Sequence, residues 1–351
     1  MTHQITFAPS GHHCPAADSD TILQAALNAG FLLPYNCRNG TCGACKGKLL
    51  SGQVDPGKTT ASVLLPAEID AGEVLFCCAK PLTDITVQSR DFQATNDIQV
   101  KRLPCRVARL YKAAPDVMVL VLELPHGKRL PFLAGQHIDI LLSDGSRRAF
   151  SIASAPHEED ALELHIRHVP GGRFTGHVFT DLRVRDPLRI EGPHGNFFLR
   201  ESSASGTTEP PGPLLLVAGG TGFAPLKSML LHAIHQGLTR PIWLYWGGRQ
   251  PEGLYMHELA QEWADHHPNI RYVPVVSDPS PQYPWTGRTG PVHQAVLEDW
   301  PDLSACEVYV CGSDPMKAAA WQALAPRGLR ASHFYGGDFS ETLADATCVV
   351  S

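Results

Sequence analysis

Residues 35–47 read YNCRNGTCGACKG, which sets Cys37, Cys42 and Cys45 in a C-x4-C-x2-C run threaded with Gly40 and Gly43, and Cys77 and Cys78 follow downstream. No other stretch restricts the fold as much. Three thiols on one loop, with a further one far along the chain, must converge on a shared centre. The spacing is that of a plant-type [2Fe–2S] cluster, which needs four thiolates around two irons. Glycines let the backbone wrap closely around such a cluster with its amides aimed at the sulfurs. Structural zinc sites instead come as two short cysteine pairs. The N-terminal MTHQITFAPSGHHC has no basic stretch followed by an apolar run, so the ten cysteines point to metal or redox chemistry rather than disulfides. A cytoplasmic location is expected.

Length sets the next limit. A chain of 351 residues exceeds one comfortable core, so two or three domains are expected. Its formal net charge of -6, without any basic block, argues against nucleic acid as a partner. No apolar segment approaches the roughly 20 residues of a membrane span.

Around the cysteine loop, DTILQAALNAGFLLP has Ile22, Ala25 and Ala26 at helical spacing, a cap at Ser19 or Asp20, and Gly30 as its stop. Segments near 3–8, 47–50 and 84–88 form a small sheet against that helix. His12, His13 and Cys14 fall in a polar stretch expected to be a mobile loop, and residues 88–101 read as a linker. From about 102 to 200, short strands alternate with turns: HIDILL and RRAFSIAS are joined by Ser143–Ser146, and LELHIRHV follows, which predicts a small antiparallel barrel. ESSASGTTEPPGP reads as a surface loop. Beyond it, PLLLVAGGTGFAPLKSMLLHAIHQG gives a buried strand, a glycine turn and a helix closed by Gly237, and PIWLYWGG, RYVPVVS and CEVYVCG are further buried strands. That alternation predicts an α/β dinucleotide-binding sheet, in which Gly219, Gly220, Thr221 and Gly222 admit a pyrophosphate at a helix N-terminus. Arg249 stands where it would reach an adenosine phosphate or ribose. No acidic residue stands right at the end of that strand and no basic cluster is evident, so the reading leans to NADH over NADPH.

The loop, with KGKLLSGQVD and LFCCAKPLTD after it, resembles the ferredoxin module of bacterial iron–sulfur flavoprotein reductases, and Arg148-Ala149-Phe150-Ser151 matches the R-x-Y/F-S pattern of the ferredoxin–NADP reductase superfamily. The resemblance covers almost the whole chain. It implies a multidomain α+β and α/β protein: a β-grasp ferredoxin domain (1–94), an antiparallel FAD-binding barrel (95–205) and an α/β NAD(P)H-binding domain (206–351). In that family the fourth ligand stands four residues before a proline, so the resemblance implies, through Pro81, that Cys77 is the fourth cluster ligand and Cys78 a bystander. In the FAD domain, Arg148 is implied to bind a phosphate, Phe150 to cover the isoalloxazine, and Ser151 to reach its N5 edge. Gly171, Gly172 and Thr175 would hold the diphosphate at a helix start. The G-P-x-G turn (Gly192, Pro193, Gly195) is one the family uses near its domain junction. In the last domain, the Gly219–Gly222 turn would bind the nicotinamide nucleotide, Cys311 and Gly312 would lie near the reactive carbon, and Phe339 would supply a C-terminal aromatic near the flavin.

The implied function is NAD(P)H-dependent electron transfer, from NAD(P)H to FAD to [2Fe–2S] to an acceptor protein. EGPHGNFFLRE, YWGGR and LYMHELA are similar to reductases serving a dideoxysugar dehydrase, and the overall plan to reductase components of oxygenases. A flavin or ferric reductase with small-molecule acceptors is the alternative, and the ferredoxin loop counts against it.

Overall fold

The computed structural model describes residues 2–35, 40, 43, 45–59, 63–89, 92–94, 98–158, 161–200, 212–282 and 284–337. The chain forms two compact units, 1–101 with 192–196, and 102–191 with 197–351.

The first unit runs β1 (Thr2–Ala8), β2 (His12–Ala17), α1 (Ile22–Asn28), β3 (Phe31–Leu32), β4 (Lys46–Ser51), β5 (Val54–Asp55), α2 (Pro66–Asp70), β6 (Glu73–Leu75), β7 (Lys80–Pro81), β8 (Ile85–Ser89) and β9 (Gln93–Ala94). Five of these strands form one sheet in the order β2-β1-β8-β4-β6, with β1 parallel to β8 and antiparallel to β2. Ile22, Leu23, Ala25 and Ala26 of α1 join Ile5, Phe7 and Val87 in the core beneath it, together with Cys45, Phe76 and Cys77. Ligand thiols and core side chains therefore share one packed body.

Three expectations need correcting in this unit. Cys14 is not in a loop: it pairs with Ile5 across the β1–β2 hairpin and is buried, because alternation along HHCPAA turns Cys14 and Ala16 inward. The helix cap is neither Ser19 nor Asp20 but Thr21, whose side chain accepts from the Gln24 N–H, while the Asp20 carboxylate accepts from Ala17 N–H. The segment read as a linker is partly structured, since Phe92 stacks on Phe7 at 5.0 Å and β9 pairs with β3. In the G-P-x-G turn, which belongs to this unit, the Gly195 N–H donates to the Tyr35 hydroxyl at 2.7 Å.

The second unit begins with β10 (Lys101–Ala114), β11 (Val117–Glu123), β12 (His137–Leu141), β13 (Arg147–Ser151), β14 (Ala161–Arg167), α3 (Arg173–Thr180) and β15 (Pro187–His194). The six strands run in the order β13-β12-β15-β10-β11-β14, and a bridge between Ile152 and Leu164 ties the two edges into a barrel. The β12–β13 hairpin matches the turn read at Ser143–Ser146.

The remainder is β16 (Leu214–Gly219), α4 (Phe223–His235), β17 (Ile242–Gly248), α5 (His257–His266), β18 (Ile270–Val276), β19 (Arg288–Thr289), α6 (Val292–Asp299), β20 (Glu307–Cys311), α7 (Asp314–Leu324) and β21 (Phe334–Gly337). All pairings are parallel, in the order β19-β18-β17-β16-β20-β21. Leu214 to Ala218 are fully buried, as expected of a central parallel strand covered by helices on both faces. The chain steps outward from β16 to β19, then returns to the other side of β16 for β20. That reversal leaves a crevice at the carboxyl ends of β16 and β20, where α/β sheets take their ligands.

Candidate functional site

Of the four proposed cluster thiols, Cys45 and Cys77 lie among the described residues, whereas Cys37 and Cys42 lie outside them. Cys45 and Cys77 are buried and hydrogen-bonded to each other, and Cys77 Sγ is 3.5 Å from Cys78 Sγ. The Gly40 N–H is aimed at Cys77, opposing a strong upward push on that thiol from the Cys45 hydrogen bond and from burial. Two thiols pressed together out of water are a poor place for two bare anions. They suit sulfurs that share a cation, which deprotonates them outright. Gly40 holds φ at +83°, and a Cβ there would come within 2.8 Å of Cys78 Sγ and 2.9 Å of the Lys58 carbonyl oxygen. Only glycine fits between the loop and the Cys77–Cys78 segment.

In the barrel, Arg148, Phe150 and Ser151 all stand on β13. Ser151 is buried and its Oγ has no hydrogen-bond partner among the described residues, which leaves a buried donor available to a ligand. Phe150 is half-buried and packs against Phe174 of α3 with ring centroids 5.6 Å apart. Arg148 is half-exposed and donates to the Arg147 carbonyl at 2.7 Å. Gly172 is the N-cap of α3 and Gly171 precedes it. The Thr175 hydroxyl accepts from Val169 N–H at 3.2 Å and lies 3.3 Å from the carbonyls of Val169 and Gly172. Thr175 thus braces the loop that presents the helix start. These features fit a flavin nucleotide with its diphosphate at that N-terminus.

At the sheet crevice a cavity of about 850 Å³ opens, lined by Gly219, Gly220, Gly248, Arg249, Ser313 and Met316 among others. The volume lies in the range of cofactor sites. Its walls are the carboxyl ends of β16, β17 and β18 and the start of α7, whose cap is Ser313. Thr221 and Gly222 continue the turn into α4, and a Cβ on Gly222 would fall 2.1 Å from the Cys311 carbonyl oxygen. The turn and the β20 end are thereby in direct backbone contact. Cys311 is fully buried and Gly312 partly so. Phe339 lies outside the described residues.

The cavity also contains residues that sequence reasoning missed. Glu252, in a short turn just past β17, lines it beside Arg249. Glu252 stands four residues beyond Gly248, the last residue of the strand, so the strand end itself gives no sign of it. Arg167 of β14 and Asp116, 3.3 Å apart, line it from the barrel side. Behind them runs a buried polar chain: Lys227 Nζ lies 3.1 Å from Glu163 Oε1, Glu163 Oε1 is 2.8 Å from His165 Nε2, and His165 Nδ1 is 2.8 Å from the Tyr255 hydroxyl. Glu163, His165 and Arg167 alternate along β14 with Leu162, Leu164 and Ile166, which belong to the barrel core, so the three polar residues stand on the strand's other face.

Family models match the three regions in the expected order: a 2Fe-2S iron-sulfur cluster binding domain over residues 5–82, an oxidoreductase FAD-binding domain over 104–199, and an oxidoreductase NAD-binding domain over 216–322. The chain is 40% identical over 339 residues to CDP-6-deoxy-L-threo-D-glycero-4-hexulose-3-dehydrase reductase of Yersinia pseudotuberculosis, covering 97% of this chain and 99% of that one. It is 37% identical over 342 residues to terephthalate 1,2-dioxygenase reductase component 1 of Comamonas sp., covering 97% and 98%. Among solved structures, an Amycolatopsis cytochrome P450 reductase matches with a TM-score of 0.79 at 33% identity, covering 96% of this chain and 99% of that one.

Proposed function

The chain belongs to the iron–sulfur flavoprotein reductases that carry 2Fe-2S, FAD-binding and NAD-binding domains on one polypeptide, and from that premise we propose that it takes electrons from NADH and delivers them to a protein acceptor of the oxygenase or dehydrase kind. The observation that carries the reading is the pairing of Cys45 with Cys77 under the Gly40 amide, an exit site that a reductase of small molecules does not need. When bound, FAD converts between the paired electrons of a hydride and the single electrons a cluster accepts.

The chain's own residues divide the work. Cys37, Cys42, Cys45 and Cys77 hold the cluster. Arg148, with Gly171, Gly172 and Thr175 at the start of α3, holds flavin phosphate, Phe150 covers the ring, and Ser151 donates its hydroxyl toward N5. The turn Gly219–Gly222 and the β20 end, Cys311 and Gly312, receive the nicotinamide nucleotide, and Phe339 is the residue that would supply the family's C-terminal aromatic near the flavin. Arg249 and Glu252 meet the adenosine end. A carboxylate there accepts from a ribose 2′-hydroxyl and repels a 2′-phosphate, which supports NADH as the donor. The domain limits 1–94, 95–205 and 206–351 go with this division.

Anaerobic spectra with iron and sulfide assays, followed by stepwise NADH and then NADPH, test the whole reading. Expected are about two irons and two sulfides per chain, and joint bleaching of flavin and cluster by NADH ahead of NADPH. Bleaching of flavin alone, or zinc in place of iron, would return the small-molecule reductase.

A further inference from the structure

The chain Lys227–Glu163–His165–Tyr255 links the barrel to the nucleotide domain inside one unit. A carboxylate can only accept, so His165 carries its proton on Nε2 toward Glu163 and, as a neutral ring, accepts at Nδ1 from the Tyr255 hydroxyl. The Lys227 side chain is 8% exposed, that of Glu163 17%, and that of His165 not at all. Two more bonds run alongside: Lys227 Nζ donates to the Ala153 carbonyl at 3.3 Å, and Ser228 Oγ to the Ser154 carbonyl at 2.7 Å. An enclosed ion pair is weak evidence for stability, since desolvation offsets much of the attraction. What it does supply is a fixed geometry.

Both ends of that geometry matter. Ala153 and Ser154 follow Ser151, whose buried hydroxyl lacks a partner among the described residues. Lys227 and Ser228 lie in the first half of α4, the helix that starts from the Gly219–Gly222 turn. The bonded groups therefore join the segment assigned to the flavin edge directly to the helix that presents the nicotinamide turn.

We propose that Lys227, Glu163, His165, Tyr255 and Ser228 form a ruler that sets the separation of the flavin and nicotinamide subsites, so that Lys227 and Glu163 are positioning residues for hydride transfer. The inference rests on the NADH-to-flavin route. Misplacement of reacting groups by an ångström costs on the order of a hundredfold in rate while leaving binding groups in place.

The test uses the flavin-loaded full chain with K227M, E163Q and the double variant E163Q/K227M, in which neither charge is left buried alone. Three quantities are measured: the stopped-flow rate of flavin bleaching at saturating NADH, the NADH concentration for half-saturation, and amide hydrogen exchange at residues 152–155 without nucleotide. Expected in the double variant are a bleaching rate lowered about tenfold or more, half-saturation within about threefold of the parent, and faster exchange at 152–155 with flavin content retained. A bleaching rate within about twofold of the parent, or unchanged exchange at 152–155, overturns the ruler. Should a single variant fail to fold, the double variant decides. If the parent protein itself is not bleached by NADH, the route fails rather than the ruler, and exchange alone judges the contact.

Discussion

Cys77 and Cys78 differ by one position and by much in surroundings. Cys77 is buried, bonded to Cys45 and faced by the Gly40 N–H, whereas Cys78 is half-exposed. Cys77→Ser should therefore bring iron and sulfide content close to zero, and Cys78→Ser should leave both at the parent level, as read by chemical assay and visible spectrum. In the sequence the choice between them rests on the family resemblance, in which the fourth ligand stands four residues before a proline, here Pro81. Glu252 was not legible there, because its approach to the cavity depends on a short turn that doubles back after β17, and a turn's direction is not written in strand periodicity. Glu252→Gln should narrow the preference for NADH over NADPH by about tenfold, the worth of one charge-assisted hydrogen bond, checked by comparing kcat/KM for the two nucleotides.

At the level of elements, the contact of the Gly222 turn with β20 and the docking of β14 on α4 each carry an expected outcome. A methyl group on Gly222 would stand 2.1 Å from the Cys311 carbonyl oxygen, so Gly222→Ala must part the turn from β20. Flavin should remain bound while NADH-driven bleaching slows by at least about tenfold, in a stopped-flow comparison with the parent. The β14 contact has a pH signature. Burial, opposed by Glu163, holds the His165 imidazole below its ordinary range. Burial also pushes the Glu163 carboxyl up, but the His165 hydrogen bond and the Lys227 charge outweigh it and bring it down to about 2. Below about pH 6.5 the unfolded chain takes up a proton at His165 that the native site refuses, and below about pH 4.3 the same holds at Glu163. Both effects act in one direction: stability is lost as pH falls from about 6.5 toward about 2. The temperature of flavin release should drop between pH 7 and pH 5, and His165→Asn should flatten that slope. Strand and helix order in this region could be read from the sequence, since apolar runs and glycine turns alternate regularly. The polar chain between barrel and nucleotide domain could not, because it joins side chains from separate elements that only the tertiary packing brings together.

For the molecule as a whole, the three cofactor-binding regions follow one another in sequence: thiols at cluster spacing on one loop; R-x-F-S on a barrel strand, a four-residue pattern whose meaning comes from its neighbour PGGRFTGHVF and from the family resemblance; and a glycine turn after a buried strand. Local motifs made the order and the chemistry legible. What they left out was the coupling between regions, since two residues such as Lys227 and Glu163 carry no mark in sequence that they meet. That meeting has a thermodynamic corollary. Lys227 and Ser228 are neighbours on one helix and hold Ala153 and Ser154, neighbours on one strand extension. Anything that orders one end of this connection lowers the cost of ordering the other. Linkage then requires the factor by which bound FAD tightens NAD+ to equal the factor by which bound NAD+ tightens FAD. Titrating NAD+ into flavin-loaded and flavin-free protein, and FAD with and without NAD+, should give two equal factors greater than one. In K227M both should shrink together.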